Sequence, residues 1–556
     1  MGATGSFIVD DRGGRSIARM PTMSHSSPGR APRRLPLRPS AEPLESRLVL
    51  STLPAGPASA SMTLALAPRA SGLIGPVATG PKLVFVGQTM PGATVTINLG
   101  DHSTGQTRAD RSGHYRLGMA MPTGTYTVRA LAENRAGAVA TASMTATRGD
   151  AVVAWVDTML AALRADPSNV GLVTRTMAMT SAAVYDAVND IHRTGAVFRV
   201  DVKAPGGASA SAAAAEAAYT VLRGTLGPST RPMLDAAMAQ SLAAVPAGSG
   251  RAAGVAVGRK VGQGILAWRA NDGSQALVPY VVGSSPGQWR PTPPDYIVAW
   301  GPEWGRVKPF VIASPAAYVP PPPPPLNSTE YAAALNQVES LGAANSTTRT
   351  PDQTQAALFW SYDLPASGTP PTFYDEIAAG IALQRHNTLD QNARMFGLVN
   401  LAMGDAGITA WDAKFTYNLW RPITAIRLAN TDGNPATAAD PTWTPLGAPN
   451  APGQPPYTPP FPAYMSGHAT FGSTLFTTLA NFYGTDQIPF SASSVDVPGV
   501  ARSFPSLGAA SLENAWSRIY LGVHYSFDAT AGLATGQAVG NAVFARALAP
   551  NPAHAR

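Results

Sequence analysis

The sequence contains no cysteine among its 556 residues, and only 13% of the residues are charged. The absence of cysteine excludes disulfide bonds, thiolate metal sites, iron–sulfur clusters and a cysteine nucleophile. No run of 18 apolar residues occurs, which predicts that no helix spans a membrane. The 45% of hydrophobic residues suffices for a large core, and the length accommodates about two or three domains of roughly 100–200 residues each.

The net charge of +7 is concentrated at one end of the chain. Residues 1–50 contain eight arginines and four acidic residues, so they carry +4 and leave +3 for the rest of the chain. A body with so little excess charge is not expected to bind nucleic acid.

Residues 1–75 are rich in Arg, Pro, Ser and Ala and lack sustained periodicity, which predicts a targeting segment and a disordered linker. Within them, residues 44–51 (LESRLVLS) resemble a Leu-Glu-x-Arg export segment of some large bacterial surface proteins. The following Ala-Ser-Ala triplet at 58–60 has the small-x-small form of a cleavage site. Export to the periplasm, cell surface or medium is therefore expected.

Residues 76–148 alternate apolar and polar residues in short stretches separated by turn signals, which predicts a small β-sandwich. The segment resembles a bacterial immunoglobulin-like repeat, which implies a spacer or adhesive role. Strands are predicted at 82–86, 94–99, 114–117 and 125–130.

Residues 150–548 have apolar residues at helical spacing, which predicts a mainly α domain that dominates the fold. Six consecutive prolines at 320–325 predict a stiff extended segment within it. Helices are predicted at 151–164, 173–191, 210–226, 231–245, 251–270, 328–341, 351–361 and 373–394.

Three short clusters in the last 150 residues contain the candidate chemical groups, and the first is Lys414 to Arg421, followed by Pro422. A spacing of seven residues equals two helical turns, so both cations are expected on one helix face. The proline disfavours helical backbone at Arg421 and predicts a helix end there. A solvated basic surface is the alternative interpretation.

The second cluster is Ser466-Gly467-His468, between a proline-rich stretch and an apolar helical pattern. Ser466 is predicted to cap that helix, and Gly467 would let a ligand approach the backbone closely. The free N–H groups at the helix start would favour an anion. An ordinary capped helix with an unrelated histidine is the alternative.

The third cluster, residues 517–528 (SRIYLGVHYSFD), contains Arg518, His524 and Asp528. The Asp528 carboxylate is expected to accept a proton from one imidazole nitrogen and leave the other as a nucleophile or ligand. A structural His–Asp pair is the alternative. Together the clusters supply three cations, a hydroxyl, a helix N-terminus and two histidines, which suits a tetrahedral or trigonal-bipyramidal oxyanion.

The order Lys-x6-Arg-Pro, Ser-Gly-His, Ser-Arg-x5-His-x3-Asp is similar to the vanadium-dependent haloperoxidases. The type 2 phosphatidic acid phosphatases carry the same motifs. The likeness covers about residues 150–548 and includes 173–189, which resemble an early helix of bacterial haloperoxidase-like proteins. Met465 stands where the family usually has proline. The resemblance implies a helical-bundle domain that binds vanadate.

The resemblance also implies a role for each matching residue. His524 would bond the vanadium axially, with Asp528 orienting its ring, and His468 would be the acid–base group at the apical oxygen. The equatorial oxygens would be held by Lys414, Arg421, Arg518, the Ser466 hydroxyl and the Gly467 N–H.

Trp411 and Phe461 stand where chloroperoxidase-type members carry these aromatics beside the halide, although core aromatics are the alternative interpretation. They favour a haloperoxidase that uses hydrogen peroxide, halide and a small organic acceptor. A soluble acid phosphatase forming a phosphohistidine at His524 is one rival function, and a non-catalytic surface protein that retains the fold is another. The sequence leaves the halide, the acceptor and the oligomeric state open, and a homo-oligomer is one alternative.

Overall fold

The computed structural model describes residues 61–66, 77–78, 82–100, 103–121, 124–362, 367–449 and 454–551. The predicted export segment at 44–51 and most of the predicted linker lie outside these residues. Within the described ranges, no helix combines the length and the apolarity needed to cross a bilayer.

The strands of the first part of the described chain form two sheets that enclose a small core. One sheet has the order β1-β3-β6, and the other has the order β2-β8-β7-β4-β5. Side chains alternate as expected for a sandwich, since Val95 and Ile97 are buried while Thr94 and Asn98 are exposed. All four predicted strands are present, and the immunoglobulin-like class stays a prediction. The strands are β1 (Ala65–Leu66), β2 (Val77–Ala78), β3 (Lys82–Gln88), β4 (Thr94–Asn98), β5 (Thr104–Arg108), β6 (His114–Ala120), β7 (Gly124–Glu133) and β8 (Val139–Arg148).

Thirteen α-helices in the described residues build the rest of the chain around one large apolar core, so the predicted mainly α fold is confirmed. They are α1 (Ala151–Ala165), α2 (Val170–His192), α3 (Ala210–Thr225), α4 (Arg231–Ala243), α5 (Ser249–Arg269), α6 (Thr329–Gly342), α7 (Pro351–Phe359), α8 (Pro370–Gln384), α9 (Leu389–Tyr417), α10 (Pro422–Arg427), α11 (Gly467–Tyr483), α12 (Leu507–Tyr520) and α13 (Ser526–Arg546). A hairpin of β9 (Phe490–Ser493) and β10 (Ala501–Phe504) precedes α12.

The prediction of a single helix over residues 373–394 is wrong, because the structure has α8 and α9 there. The chain turns at His386, whose φ of 55° is left-handed. Thr388 then starts α9 with a capping box: its hydroxyl accepts the Gln391 N–H at 3.3 Å, and the Gln391 side chain accepts the Thr388 N–H at 2.8 Å. The Thr-x-x-Gln pattern is visible in the sequence, but the continuous apolar periodicity hides it.

The helices that carry the three clusters pack directly on one another, with α11 between α9, α12 and α13. A glycine allows the close approach of α13 to the start of α11. A Cβ at Gly532 would lie 2.8 Å from the Ser466 carbonyl oxygen and 2.8 Å from the Ala469 Cβ. The close packing therefore brings the Ser-Gly-His turn against the helix that begins just after His524.

A buried carboxylate between α8 and α9 gives the fold a testable pH dependence. Asp375 is fully buried and accepts a hydrogen bond from the Asn400 amide at 2.8 Å, and burial raises its pKa to about 7. The pKa of Asp375 in the folded protein is higher than the value of about 3.9 in the unfolded chain. The free energy of unfolding therefore falls as the pH rises from about 4 to about 7, by at most about 1.4 kcal/mol per pH unit.

We expect Asp375→Asn to remove this pH-dependent loss of stability. The melting temperature of the variant minus that of the unmodified protein should increase between pH 5 and pH 8. The exposed Asp295→Asn serves as the matched control and should show no such trend. If the difference in melting temperature between Asp375→Asn and the unmodified protein stays constant from pH 5 to pH 8, the argument is contradicted.

Candidate active site

A cavity of about 260 Å³ lies where the three clusters meet. Of the ten residues that the sequence singles out, six line the cavity: Trp411, Phe461, Gly467, His468, Arg518 and His524. The other four are not among the lining residues: Lys414, Arg421, Ser466 and Asp528. His524 connects the two groups, because it bonds both Arg421 and Asp528. Five of the ten side chains are completely buried: Lys414, Arg421, Ser466, Arg518 and Asp528.

The tautomer of His524 follows from its two partners. The Arg421 guanidinium donates to Nε2 at 3.0 Å, and a guanidinium has no acceptor atom. Nε2 therefore has the lone pair, and the ring proton is on Nδ1, 2.8 Å from the Asp528 carboxylate. This arrangement agrees with the prediction of an oriented imidazole whose second nitrogen is available as a ligand or nucleophile.

The electrostatic surroundings keep His524 neutral. Burial, followed by the positive charges of Arg421 and Lys414, lowers the pKa of His524 well below its usual value. Burial raises the pKa of Asp528, while Lys414 and the Tyr525 backbone N–H oppose that rise. A neutral imidazole with Nε2 unprotonated is the form that bonds a metal or attacks an electrophile.

His468 occupies the second position of α11 and is oriented by a group that the sequence analysis missed. Its Nε2 lies 2.9 Å from the Ser361 carbonyl oxygen, which can only accept, so Nε2 is protonated. Burial and the charge of Arg518 lower the pKa of His468 well below its usual value. In the neutral ring Nδ1 therefore has the lone pair and can accept a proton. A backbone carbonyl leaves no sequence signal, so Ser361 could not have been found from the sequence.

The expectation that Lys414 and Arg421 share a helix face is wrong. The helix α9 ends at Tyr417, Asn418 takes a left-handed conformation with φ of 50°, and Arg421 lies beyond it as the residue that caps α10. The loop nevertheless directs Arg421 back toward the site, where its Nε donates to the Phe461 carbonyl at 2.8 Å.

Lys414 orders the loop that leads into the Ser-Gly-His turn. Its ammonium donates to the carbonyl oxygens of Pro462, Ala463 and Met465 at 2.9, 3.0 and 2.6 Å. Burial and the neighbouring Arg421 lower the pKa of Lys414, yet three acceptors match the three donors of a protonated amine. Lys414 thus contributes positive charge and also fixes the backbone on which Ser466 lies.

The start of α11 has the predicted capped form. Ser466 is the N-cap, and its hydroxyl accepts the Ala469 N–H at 3.4 Å. The N–H groups of Gly467 and His468 belong to the first turn, which helix geometry leaves without intrahelical acceptors. A Cβ at Gly467 would lie 3.7 Å from the Trp411 ring, its nearest neighbour beyond its own turn of helix, so the surrounding packing leaves room for a side chain at this position.

The aromatic wall of the cavity includes a residue that the sequence analysis did not single out. Phe461 lies against Trp411, with ring centroids 5.0 Å apart, and beneath the Lys414 ammonium and the Arg421 guanidinium at 5.1 and 4.9 Å. Trp300 packs edge-on against Trp411, with ring centroids 5.1 Å apart, and the Trp300 backbone N–H donates to the Pro460 carbonyl. Trp300 lies in a proline-rich loop 111 residues before Trp411, so the sequence did not indicate that the two residues are in contact.

Removing the negative charge of Asp528 tests the tautomer assigned to His524. In Asp528→Asn the amide cannot stabilise the Nδ1–H form as a carboxylate does, and partners of this kind typically contribute 10–100-fold to ligand affinity or activity. We expect oxyanion affinity, measured with vanadate by equilibrium dialysis, to fall by about that factor. Asp412→Asn on α9, outside the cavity lining, is the control. Unchanged affinity in Asp528→Asn contradicts the assigned tautomer.

Sequence comparisons relate the second half of the helical domain to known proteins. Residues 394–551 match the family model described as the VCPO second helical-bundle domain. A vanadium chloroperoxidase of Curvularia inaequalis is 37% identical over 254 residues, which cover 37% of this chain and 41% of that protein. The chain therefore spans less than half the length of this curated relative.

Structural comparisons extend the likeness to about 70% of the chain. A bacterial vanadium-dependent iodoperoxidase aligns with a TM-score of 0.63 and 24% identity, covering 72% of this chain and 97% of that one. A bacterial vanadium-dependent chloroperoxidase in its holo form aligns with a TM-score of 0.54 and 17% identity, covering 68% and 92%. At these identities the likeness establishes the fold.

Proposed function

We propose that this chain, whose helical domain has the vanadium haloperoxidase fold, is a vanadate-dependent haloperoxidase that oxidises halide with hydrogen peroxide to a hypohalous species. The observation that carries the proposal is the neutral His524, with Nε2 unprotonated, in a cavity shared with Arg518 and adjoining Arg421. The matching family segment at 394–551 contains all of these groups.

The donor set fits an oxyanion such as vanadate. Two guanidiniums, one ammonium and the first N–H groups of α11 supply positive charge and hydrogen-bond donors, and one neutral imidazole supplies a metal ligand. His524 would hold the metal through Nε2, in exchange for its hydrogen bond to Arg421. The oxygens would be held by Arg421, Arg518, Ser466 and Gly467, and by Lys414 in exchange for one of its three bonds to loop carbonyls.

When bound, vanadate would supply the activation of peroxide toward halide. The chain's own contribution to proton transfer would come from His468, because Nδ1 is its basic atom and Nε2 is held by Ser361. Its lowered pKa keeps Nδ1 free to take a proton from peroxide at neutral pH and to return it to the departing water. Trp411 and Phe461 would form the apolar side of the halide position.

A soluble acid phosphatase is the rival function, because the same Nε2 of His524 suits attack on phosphorus and the same donors suit phosphate. The aromatic cluster of Trp300, Trp411 and Phe461 beside the anion groups favours the haloperoxidase.

Paired assays on one preparation separate the functions. We expect peroxide-dependent bromination of a phenol dye that requires added vanadate and that falls when millimolar phosphate is present during loading, since the two anions have the same shape. Phosphomonoesterase turnover without peroxidase activity would contradict the proposal in favour of the rival enzyme. Neither activity, with vanadate bound, would favour the non-catalytic protein.

We also propose that residues 1–75 direct export and that residues 76–148 act as a spacer before a catalytic domain at 150–548. The arginine-rich composition and the export-like segment at 44–51 support the first part. N-terminal sequencing of protein recovered from outside the cytoplasm tests it, and an intact N-terminus on protein found only inside the cell would contradict it.

A further inference from the structure

The cavity extends beyond the anion-binding groups, and its composition there limits what it can hold. Among the described residues that line it, Arg518 is the one side chain with a permanent charge, and no carboxylate is present. His468 and His524 line it together with Arg518. The remaining walls are apolar or uncharged.

The charge distribution selects against ionic ligands. A cationic ligand would approach Arg518, Arg421 and Lys414, whose three positive charges outnumber the one nearby carboxylate, that of Asp528. An anionic ligand would compete with the bound oxyanion for Arg518. A neutral molecule meets neither penalty, so the space beside the oxyanion favours an uncharged ligand.

The walls favour a flat ring. Trp300, Tyr362, Phe461 and Phe471 all line the same space, together with Pro460. Aromatic rings gain about 0.5–1.5 kcal/mol per pair from edge-on or offset contacts beyond the burial of area. The whole cavity, which must also hold the oxyanion, has a volume of about 260 Å³, just below the range of roughly 300–1,000 Å³ usual for ligand pockets, and this limits the ligand to one or two rings.

We propose that this cavity binds a neutral, electron-rich aromatic acceptor of one or two rings and that halogenation takes place while the acceptor is held there. The inference rests on the proposed function. In balance, Ar–H, X⁻, H₂O₂ and H⁺ give Ar–X and two H₂O. Halide loses two electrons to peroxide, the aromatic carbon forms the C–X bond, and the displaced ring proton leaves to solvent.

The binding experiment needs no peroxide or halide, so it is independent of turnover. Calorimetric titration compares three compounds with one ring system and different charge: indole, tryptamine and indole-3-acetate. We expect indole to bind with a Kd below about 1 mM, a modest affinity for a ligand of this size, and tryptamine to bind at least tenfold more weakly. Prior loading with vanadate should weaken indole-3-acetate more than indole.

Variants locate the binding. Trp300→Leu should weaken indole at least tenfold, because it removes one wall of the cavity. Trp516→Leu is the matched control, since Trp516 lies on α12 with Arg518 but does not line the cavity. Thermal melting of each variant establishes that it is folded before it is compared.

The product distribution completes the test. With bromide, peroxide and vanadate, the enzyme should give a ratio of bromoindole isomers different from that of free hypobromous acid, and Trp300→Leu should shift the ratio toward the free reagent. No indole binding at millimolar concentration, tryptamine binding as tightly as indole, or an isomer ratio equal to that of the free reagent would overturn the inference. A protein that binds indole through Trp300 but oxidises no halide would instead contradict the proposed function.

Discussion

Replacing His524 by alanine is expected to abolish vanadate-dependent bromination almost completely, by at least about 10³-fold. The loss should exceed the 10²–10³ typical for removing one hydrogen-bond donor to a reacting oxygen, because His524 would supply the bond to the metal. Lys414, Arg421 and Arg518 remain in the variant, so vanadate should still bind, more weakly, as a free anion.

The measurement pairs bound vanadium with the bromination rate of a phenol dye, both in phosphate-free buffer. His192→Ala serves as the control, because that histidine is partly exposed and pairs with Asp390 at 2.8 Å, away from the cavity. It should change neither quantity. Near-normal bromination by His524→Ala would contradict the haloperoxidase assignment.

Replacing His468 by alanine should separate binding from proton transfer. The rate should fall by about 10²–10⁴, the usual contribution of a positioned acid–base group. Vanadate affinity should change little, since the ring is held by Ser361 and the anion by other groups. His386→Ala, outside the cavity lining, is the control.

The signature of a proton-transfer role is the pH profile. If His468 Nδ1 is the base, the rate of the unmodified protein should fall on acidification only at a pH below the usual histidine pKa. This fall should be absent from the residual rate of His468→Ala. A loss of vanadate binding equal to the loss of rate would mean that His468 holds the anion instead.

Local chemistry explains what the sequence could predict about the site. Ser466 was expected to cap α11, and the Asp528 carboxylate was expected to orient His524, because both interactions join residues at most four apart. Short-range hydrogen bonding of this kind needs no knowledge of the tertiary fold. The mainly α domain also followed from periodicity, and its helix starts at capped residues were close to those observed.

The interactions that were missed depend on tertiary contacts or on competing local signals. The Ser361 carbonyl reaches His468 across 107 residues of sequence, and Trp300 reaches Trp411 across 111. The shared helix face of Lys414 and Arg421 failed because a left-handed Asn418 ends α9 between them. Both cations still lie close to His524, since the loop after α9 returns Arg421 to it.

A crystal structure of the protein grown with vanadate tests the central claim most directly. The account predicts anomalous density for one vanadium per chain in the cavity, bonded to Nε2 of His524, with Arg518 on its oxygens and Asp528 retained on Nδ1. Vanadium bound at another site, or held in the cavity without a bond to His524 by a protein that still brominates at full rate, would contradict it.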